Sequence, residues 1–384
     1  ARGHTVTVLA SDYVRGEQVP WERHIARELW LNGLFEAPMR SFAAVEAIEE
    51  QNHEVLRTWL RRTSPEVVYV WNLGGLSKSL LLTLRREGIP HRVDVGDPWL
   101  ARTWTKDPWL GFWNRPQTRG EQFGRWWRER LGVRKRVEAN LPTGPLDGLD
   151  PAACLFGSKH LRAEAAAAGW AVDAATVLTG GVPLDQVRVR EDRPQGRRIL
   201  WIGRIQPERG AGTALEALAL LHRQGDRAWT LDFLGRSDRA YQDRLEADAR
   251  RLGVLAAVSF RAASAERRRE LYADYDVFCA TDGGGSAAGL LTVWEARIAG
   301  LPTVLARRDG YLELLEGEAG RWGFEAGSAA ELAATLTALA ADSPRTLAAV
   351  ADLQEKTRRE QGLEPYLTAV ERHLESAYAG RAPP

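Results

Sequence analysis

The sequence predicts an α/β protein built from two parallel-sheet domains, and three observations carry that expectation. Strand-like apolar runs alternate with helix-period segments along most of the chain, the pattern of strands joined by crossover helices. At 384 residues the chain exceeds one ordinary core and fits two domains of roughly 150 to 200 residues. A polar stretch from Asp185 to Arg197, holding Pro194 and Gly196, reads as the linker between them.

The elements follow in order. Ala1 to Leu9 reads as a helix end, a turn and then a strand. Val67-Val68-Tyr69-Val70-Trp71 and His91-Arg92-Val93-Asp94-Val95 read as strands, with Leu80 to Leu84 on the helix between them. Glycine and proline turns around Leu141 to Pro151 separate an irregular region from a strand at Cys154. The second domain has strands near Ile199, Leu231, Val258, Val277, Thr303 and Trp322. Near the end Tyr366, Val370 and Leu374 share one helical face. There is no internal repeat and no low-complexity tract.

Composition narrows the function classes. With 44% hydrophobic and 27% charged residues the chain is a globular protein rather than a disordered one. A net charge of +1 gives no global field for nucleic acid. Cys154 and Cys279 are the only cysteines, which argues against a disulfide framework and suits a reducing cytoplasm. Seven scattered histidines offer no zinc-ligand spacing, so no metal is expected. No apolar run reaches the length of a membrane span, and no secretory leader opens the sequence.

Two segments carry chemistry. Ile199-Leu200-Trp201 runs into Ile202-Gly203-Arg204-Ile205-Gln206-Pro207-Glu208-Arg209-Gly210, a strand ending in a glycine and a second tight turn. A helix follows, with apolar residues at Ala214, Leu215, Leu218 and Leu221. Two guanidinium forks at a strand-to-helix turn can hold a diphosphate without a metal; otherwise Arg204 and Arg209 are solvated loop residues. Further on, the strand Tyr275 to Cys279 leads through the small-residue loop Thr281 to Ala288 into a helix from Gly289 to Gly300. Leu291, Trp294 and Ile298 form its inward stripe, and the amides of Gly289 and Leu290 at its start are placed to attract an anion.

These segments resemble glycosyltransferase family 4, the retaining, nucleotide-sugar-dependent enzymes of the GT-B fold. Gly203-Arg204 through Glu208-Arg209-Gly210 is similar to the family's Gly-Arg … Glu-Lys-Gly signature, with arginine in place of lysine. Glu295-Ala296 through Ala299-Gly300-Leu301-Pro302 is similar to its Glu-Ala-Met-Ala-x-Gly-x-Pro signature. Cys154 to Ser158 resembles the strand ending in serine before the interdomain region, and Val177 to Val182 the family's Val-Ile-Pro-Asn-Gly-Val segment.

The resemblance implies two Rossmann-like domains facing across a cleft. The acceptor-side domain is residues 1–184, joined by a C-terminal helix over 364–380, and the nucleotide-sugar domain is 185–363. It also implies that the sequence opens at the second strand of the first domain, the preceding strand and its glycine-rich turn being absent. The donor is then a nucleotide-diphosphate sugar and the acceptor a glycan, a lipid-linked sugar or a small glycoside, with no further cofactor. Arg204 and Arg209 stabilise the departing diphosphate, Gly203, Gly289 and Leu290 line it, and backbone groups beside Arg261 read the base. Glu295 accepts hydrogen bonds from the ribose hydroxyls; alternatively it pairs with an arginine on the helix surface.

Two departures from the family pattern favour a second reading, a non-catalytic protein of the same fold that binds a nucleotide or glycan or serves as a partner subunit. The family's other glutamate, eight residues before Glu295, is Ala287 here, and Asp282 is the candidate substitute carboxylate. The family's His-Asp pair is replaced by Gly96-Asp97-Pro98-Trp99, leaving Asp97 and Trp99 as acceptor-side candidates, or Asp97 as a turn residue before proline.

Tryptophan usage is lopsided, eleven of fifteen lying before the linker. In residues 99–136, Trp99, Trp104, Trp109, Trp113, Trp126 and Trp127 are interleaved with ten basic residues. That mixture suits peripheral contact with the inner face of a membrane. It also suits an irregular insert whose tryptophans pack inward, and less well a single-stranded nucleic-acid platform, given the near-neutral chain.

Overall fold

The computed structural model describes residues 2–13, 24–32, 41–146, 150–190, 196–262, 264–282, 286–341 and 343–379. The chain divides into two units, one of Ala1–Phe156, Arg162–Thr176 and Glu371–Pro384, the other of Gly157–Leu161 and Val177–Val370. Pro194 of the expected linker and Gly283 to Gly285 of the small-residue loop lie outside the described residues.

In the first unit, β1 (Val8–Ser11) and β2 (Ile25–Leu29) pair in parallel, and α1 (Phe42–Thr63) follows. Ser41 starts α1 by accepting a hydrogen bond from the Ala44 amide at 3.3 Å. Next come β3 (Val68–Trp71), α2 (Ser79–Arg86) and β4 (His91–Val95). The helices α3 (Thr103–Lys106), α4 (Pro108–Asn114), α5 (Arg119–Arg130) and α6 (Val133–Glu138) precede β5 (Cys154–Phe156). After α7 (Lys159–Ala167) and β6 (Thr176–Val177), the parallel order is β3-β4-β5-β6. The strands expected at Val67, His91 and Cys154 therefore form and adjoin one another.

The expectation of an irregular region before Cys154 is corrected: residues 103–138 are largely four short helices. Asp107 begins α4 by accepting from the amides of Trp109 and Leu110, with Pro108 at the first helical position. Trp109 and Trp113 then meet edge to face at 5.8 Å with no solvent exposure, and Trp99 is 4% exposed. Three of the six tryptophans in segment 99–136 are therefore core residues.

The second unit begins with β7 (Arg198–Ile202), α8 (Ala211–Arg223), β8 (Thr230–Leu234), α9 (Arg239–Arg251) and β9 (Val258–Arg261). It continues with α10 (Ala265–Leu271), β10 (Val277–Ala280), α11 (Ala287–Ile298), β11 (Thr303–Ala306) and β12 (Gly323–Phe324). The helices α12 (Ala329–Ala341), α13 (Ser343–Gln361) and α14 (Leu363–Tyr378) end the chain, and α14 carries residues of both units. Its last turns, from Glu371 on, belong to the first unit, in which Arg92 donates to the His373 carbonyl and the Ser376 hydroxyl, both at 2.9 Å.

All six expected strands of the second unit form one parallel sheet in the order β12-β11-β10-β7-β8-β9. Helices cover both faces, so successive strand residues are buried alternately on opposite sides. Ile199 and Trp201 join the core with Leu215, Leu218 and Leu336, whereas Leu200 joins the one with Phe278, Trp294 and Tyr311. Burying each such side chain contributes on the order of 1.5–3 kcal/mol. The strand order also places the crevice in which open α/β sheets generally bind their ligands. The chain leaves β7 toward β8 on one side and returns to β10 on the other, so the crevice outside the carboxyl ends of β7 and β10 is the topological switch point.

Candidate active site

At that switch point two loops are pinned together. Gly203 follows β7, and a Cβ there would meet the Trp201 ring at 2.9 Å. Gly235, after β8, leaves so little room that its Cβ would lie 1.9 Å from the Gly203 carbonyl oxygen. A 3-10 turn, Pro207–Arg209, ends at Gly210, which adopts φ +71°. A side chain at Gly210 would be strained in that conformation, and its Cβ would sit 2.8 Å from the Thr281 carbonyl. Thr281 closes the junction: its hydroxyl accepts from the Trp201 indole at 2.8 Å and donates to the Arg209 carbonyl at 3.0 Å.

The two arginines expected to act together stand in different environments. Arg204 is exposed and makes no hydrogen bond or ion pair among the described residues. Arg209 is half-buried and its guanidinium meets the Asp282 carboxylate at 2.6 Å. Tyr311 donates its hydroxyl to the other Asp282 oxygen at 2.7 Å. Burial, then the neighbouring Asp282 charge, holds the Tyr311 phenol well above its ordinary range, so it stays a donor. Asp282, the candidate substitute carboxylate, thus serves Arg209 and Tyr311.

Helix α11 begins across this loop. Gly289 and Leu290, expected to present open amides, both donate to Ser286 instead: Gly289 to its carbonyl at 3.0 Å and hydroxyl at 3.4 Å, Leu290 to its carbonyl at 3.4 Å. The helix starts at Ala287, two residues earlier than the sequence suggested, so these amides fall in the cap and the first helical turn. Two turns on, Glu295 is fully buried. Its Oε2 accepts from Arg268 at 3.0 Å and from the Tyr272 hydroxyl at 2.9 Å, and its Oε1 from Arg268 and Arg269, both at 3.1 Å. A carboxylate has about four lone-pair sites, and all four are taken. The ion pair that the sequence offered as an alternative for Glu295 is present, buried rather than on the helix surface.

Arg261, at the end of β9, is exposed and lies 3.5 Å from Asp232. Asp97 and Trp99 belong to the other unit, after β4. Asp97 accepts from the Trp99 amide at 3.0 Å in a tight turn, and burial raises its pKa while Arg102 and Lys78 oppose the rise. The Trp99 ring is packed inside and donates to the Asp94 carbonyl at 3.3 Å, so it offers no open stacking face.

Sequence reasoning missed Arg268, Arg269, Tyr272 and Tyr311. The run Arg267-Arg268-Arg269 was the available signal for the first pair, because three adjacent helical side chains fan over about 200° of the helix surface. Tyr311 lies in a 3-10 segment, Asp309–Leu314, which has no apolar period to mark it. Among the described residues no group of three or more His, Cys, Asp or Glu side chains could hold a metal ion.

The doubly wound sheet, its switch-point loops and the second α/β unit define a protein of the GT-B fold. Residues 196–342, within the second unit, match the family model described as "Glycosyl transferases group 1". HepE of Anabaena, crystallised with UDP and glucose, is similar over 93% of this chain and 88% of its own, with a TM-score of 0.62 and 17% identity. A glycosyltransferase from Rickettsia africae is similar over 93% and 86%, with a TM-score of 0.63 and 12% identity. Sucrose-phosphate synthase from Thermosynechococcus elongatus is similar over 92% and 84%, with a TM-score of 0.62 and 15% identity. Compared by sequence with curated proteins, the chain matches none.

Proposed function

We propose that this protein is a retaining glycosyltransferase that moves a sugar from a nucleotide-diphosphate sugar to a glycan, a lipid-linked sugar or a small glycoside. The observation that carries the reading is the place of Arg204 and Arg209, on the first strand-to-helix turn at the switch point between β7 and β10. Departure of the nucleoside diphosphate leaves negative charge, and preorganised cationic donors stabilise the transition state in which it develops. Arg204 is an unpaired cation there, and Arg209 becomes one when a phosphate displaces Asp282. In this reading the guanidiniums do the work without a resident metal, and the leaving phosphate takes the acceptor's proton on the same face, giving retention. Asp97 is the acceptor-side candidate on the first unit, and Arg261 the residue beside the base.

The fit of the fold to HepE, whose structures contain UDP and UDP-glucose, makes UDP the first probe. Isothermal titration with UDP and GDP, on the parent and on Arg204→Ala, tests the phosphate site. Incubation with UDP-sugars tests turnover. The reading requires that a nucleotide bind, that the variant weaken it, and that donor be consumed.

One observation favours a second reading, a non-catalytic nucleotide- or glycan-binding protein of the same fold. Glu295 has no acceptor site left for a ribose unless an arginine or Tyr272 gives way. Nucleotide binding with no donor consumed, with or without candidate acceptors, would select it.

A further inference from the structure

Helix α5 (Arg119–Arg130) is inside out. A surface helix ordinarily turns its apolar stripe to the core and its charges to water. Here Phe123, Trp126 and Trp127, at i, i+3 and i+4 on one face, are 66%, 50% and 48% exposed, and Leu131 just beyond is 62% exposed. The inward side is held by arginine instead: the Arg128 guanidinium lies 4.1 Å from the centre of the Phe42 ring, and Arg125 donates to the Trp113 carbonyl at 3.4 Å. The helix is nonetheless well made. Thr118 and Glu121 form a reciprocal capping box, so the outward aromatic face is not the product of a frayed segment.

Charge surrounds that face. Residues 119–136 hold seven basic and two acidic side chains, five net positive charges in a chain whose total is +1. Both acids are occupied, Glu121 in the cap and Glu129 with Arg134 at 3.0 Å. Arg119, Arg130, Lys135 and Arg136 are exposed and have no carboxylate partner among the described residues. Arg130 stacks 5.7 Å over the Trp126 ring, and Phe123 and Trp126 stack on each other at 5.9 Å.

We propose that the outer face of α5 docks this protein onto an anionic lipid surface. Indole and phenyl rings enter the boundary between headgroups and acyl chains, Leu131 adds an aliphatic anchor, and the flanking cations meet the lipid phosphates. A second copy of this chain is a poor occupant, because it would bring five further positive charges against the same five. Nucleic acid is a poorer fit than lipid, because Phe123 and Trp126 stack on each other rather than splaying to receive bases. None of these side chains is among those assigned to the donor, and lipid docking is measured without turnover.

Flotation of the full chain tests it, with phosphatidylcholine vesicles made with and without phosphatidylglycerol. The protein floats with the phosphatidylglycerol vesicles, floats less with phosphatidylcholine alone, and is released by salt. The variant Phe123→Ser/Trp126→Ser/Trp127→Ser loses flotation with an unchanged melting temperature, since none of the three side chains is buried. Trp71→Ser, which alters a 73% exposed tryptophan elsewhere in the same unit, floats like the parent. The proposal is overturned if the triple variant floats like the parent or if anionic lipid makes no difference. It is equally overturned if the triple substitution abolishes a dimer, or binding of a single-stranded oligonucleotide, while vesicles are ignored throughout.

Discussion

Glu295 and Arg268 face each other as a two-pronged pair away from solvent, Nε to Oε2 at 3.0 Å and Nη2 to Oε1 at 3.1 Å. Arg269 and Tyr272 occupy the remaining acceptor sites, so the carboxylate is the hub that joins α10 to α11. Glu295→Gln removes the charge and leaves two half-buried guanidiniums facing an amide. Breaking a buried pair in this way costs about 3–5 kcal/mol, to be measured by urea unfolding. Nucleotide titration of the folded variant adds a second readout. Lost affinity assigns Glu295 to the donor, whereas unchanged affinity assigns it to the fold.

Arg204 and Arg209 separate by the same logic. Arg204 has no internal partner, so Arg204→Ala weakens UDP binding while the melting temperature holds. A hydrogen bond to a charged group is worth about 1.5–3 kcal/mol, or roughly ten- to hundredfold in affinity. Arg209→Ala weakens UDP too but also lowers stability, because Asp282 loses its cation. Calorimetric titration and thermal melts on both variants distinguish them.

Gly210→Ala tests the pinned junction directly. The left-handed backbone costs a residue with a side chain roughly 1–2 kcal/mol. The added methyl must also push against the Thr281 carbonyl, 2.8 Å away, with no flexible side chain to yield. A loss of about 2 kcal/mol or more is expected, visible as a melting temperature lower by several degrees. A variant as stable as the parent would show that the turn relaxes freely.

The two thiols give a pH signature. Burial raises the Cys154 thiol from about 9 to about 12, with Asp150 adding and Arg92 opposing, and burial raises that of Cys279 as well. The unfolded chain therefore releases these protons first as pH rises. The stability they contribute is full below about 9 and is lost above it, by about 1.4 kcal/mol per pH unit for each thiol until its folded value is reached. Native protein at pH 8 should not react with a disulfide reagent, and should release two thiols per chain in guanidinium. Prompt reaction of either one in the native state would contradict this burial.

The sheet of the second unit was legible because both its faces are covered. Runs such as Ile199-Leu200-Trp201 and Val277-Phe278-Cys279 are apolar without interruption, and glycine turns mark where they stop. Helix α1 escaped for the opposite reason. Its buried face holds Glu49, Asn52 and His53 beside Val45 and Ile48, so no apolar period announces it. These polar groups are satisfied by distant partners, Glu49 by Ser79 at 2.6 Å and Asn52 by the Trp30 backbone at 2.7 and 2.9 Å. Partners so far apart in sequence leave no local pattern. At the candidate site the arginines were readable from their place at a strand-to-helix turn and Glu295 from the family resemblance, whereas the groups that occupy them, Asp282 with Tyr311 and Arg268 with Tyr272, depend on which loops the sheet order makes neighbours.

Thr281 contributes one hydroxyl to this arrangement, yet that oxygen listens to a core indole and speaks to the backbone of the turn that carries Arg209. Replacing it by valine keeps the volume while cutting both conversations. A repacked core near Trp201 and a displaced Arg209 would then arrive as a single event. Drift at this position is therefore a route by which substitutions deep inside the sheet can move the Arg209 side chain without altering the turn's own sequence.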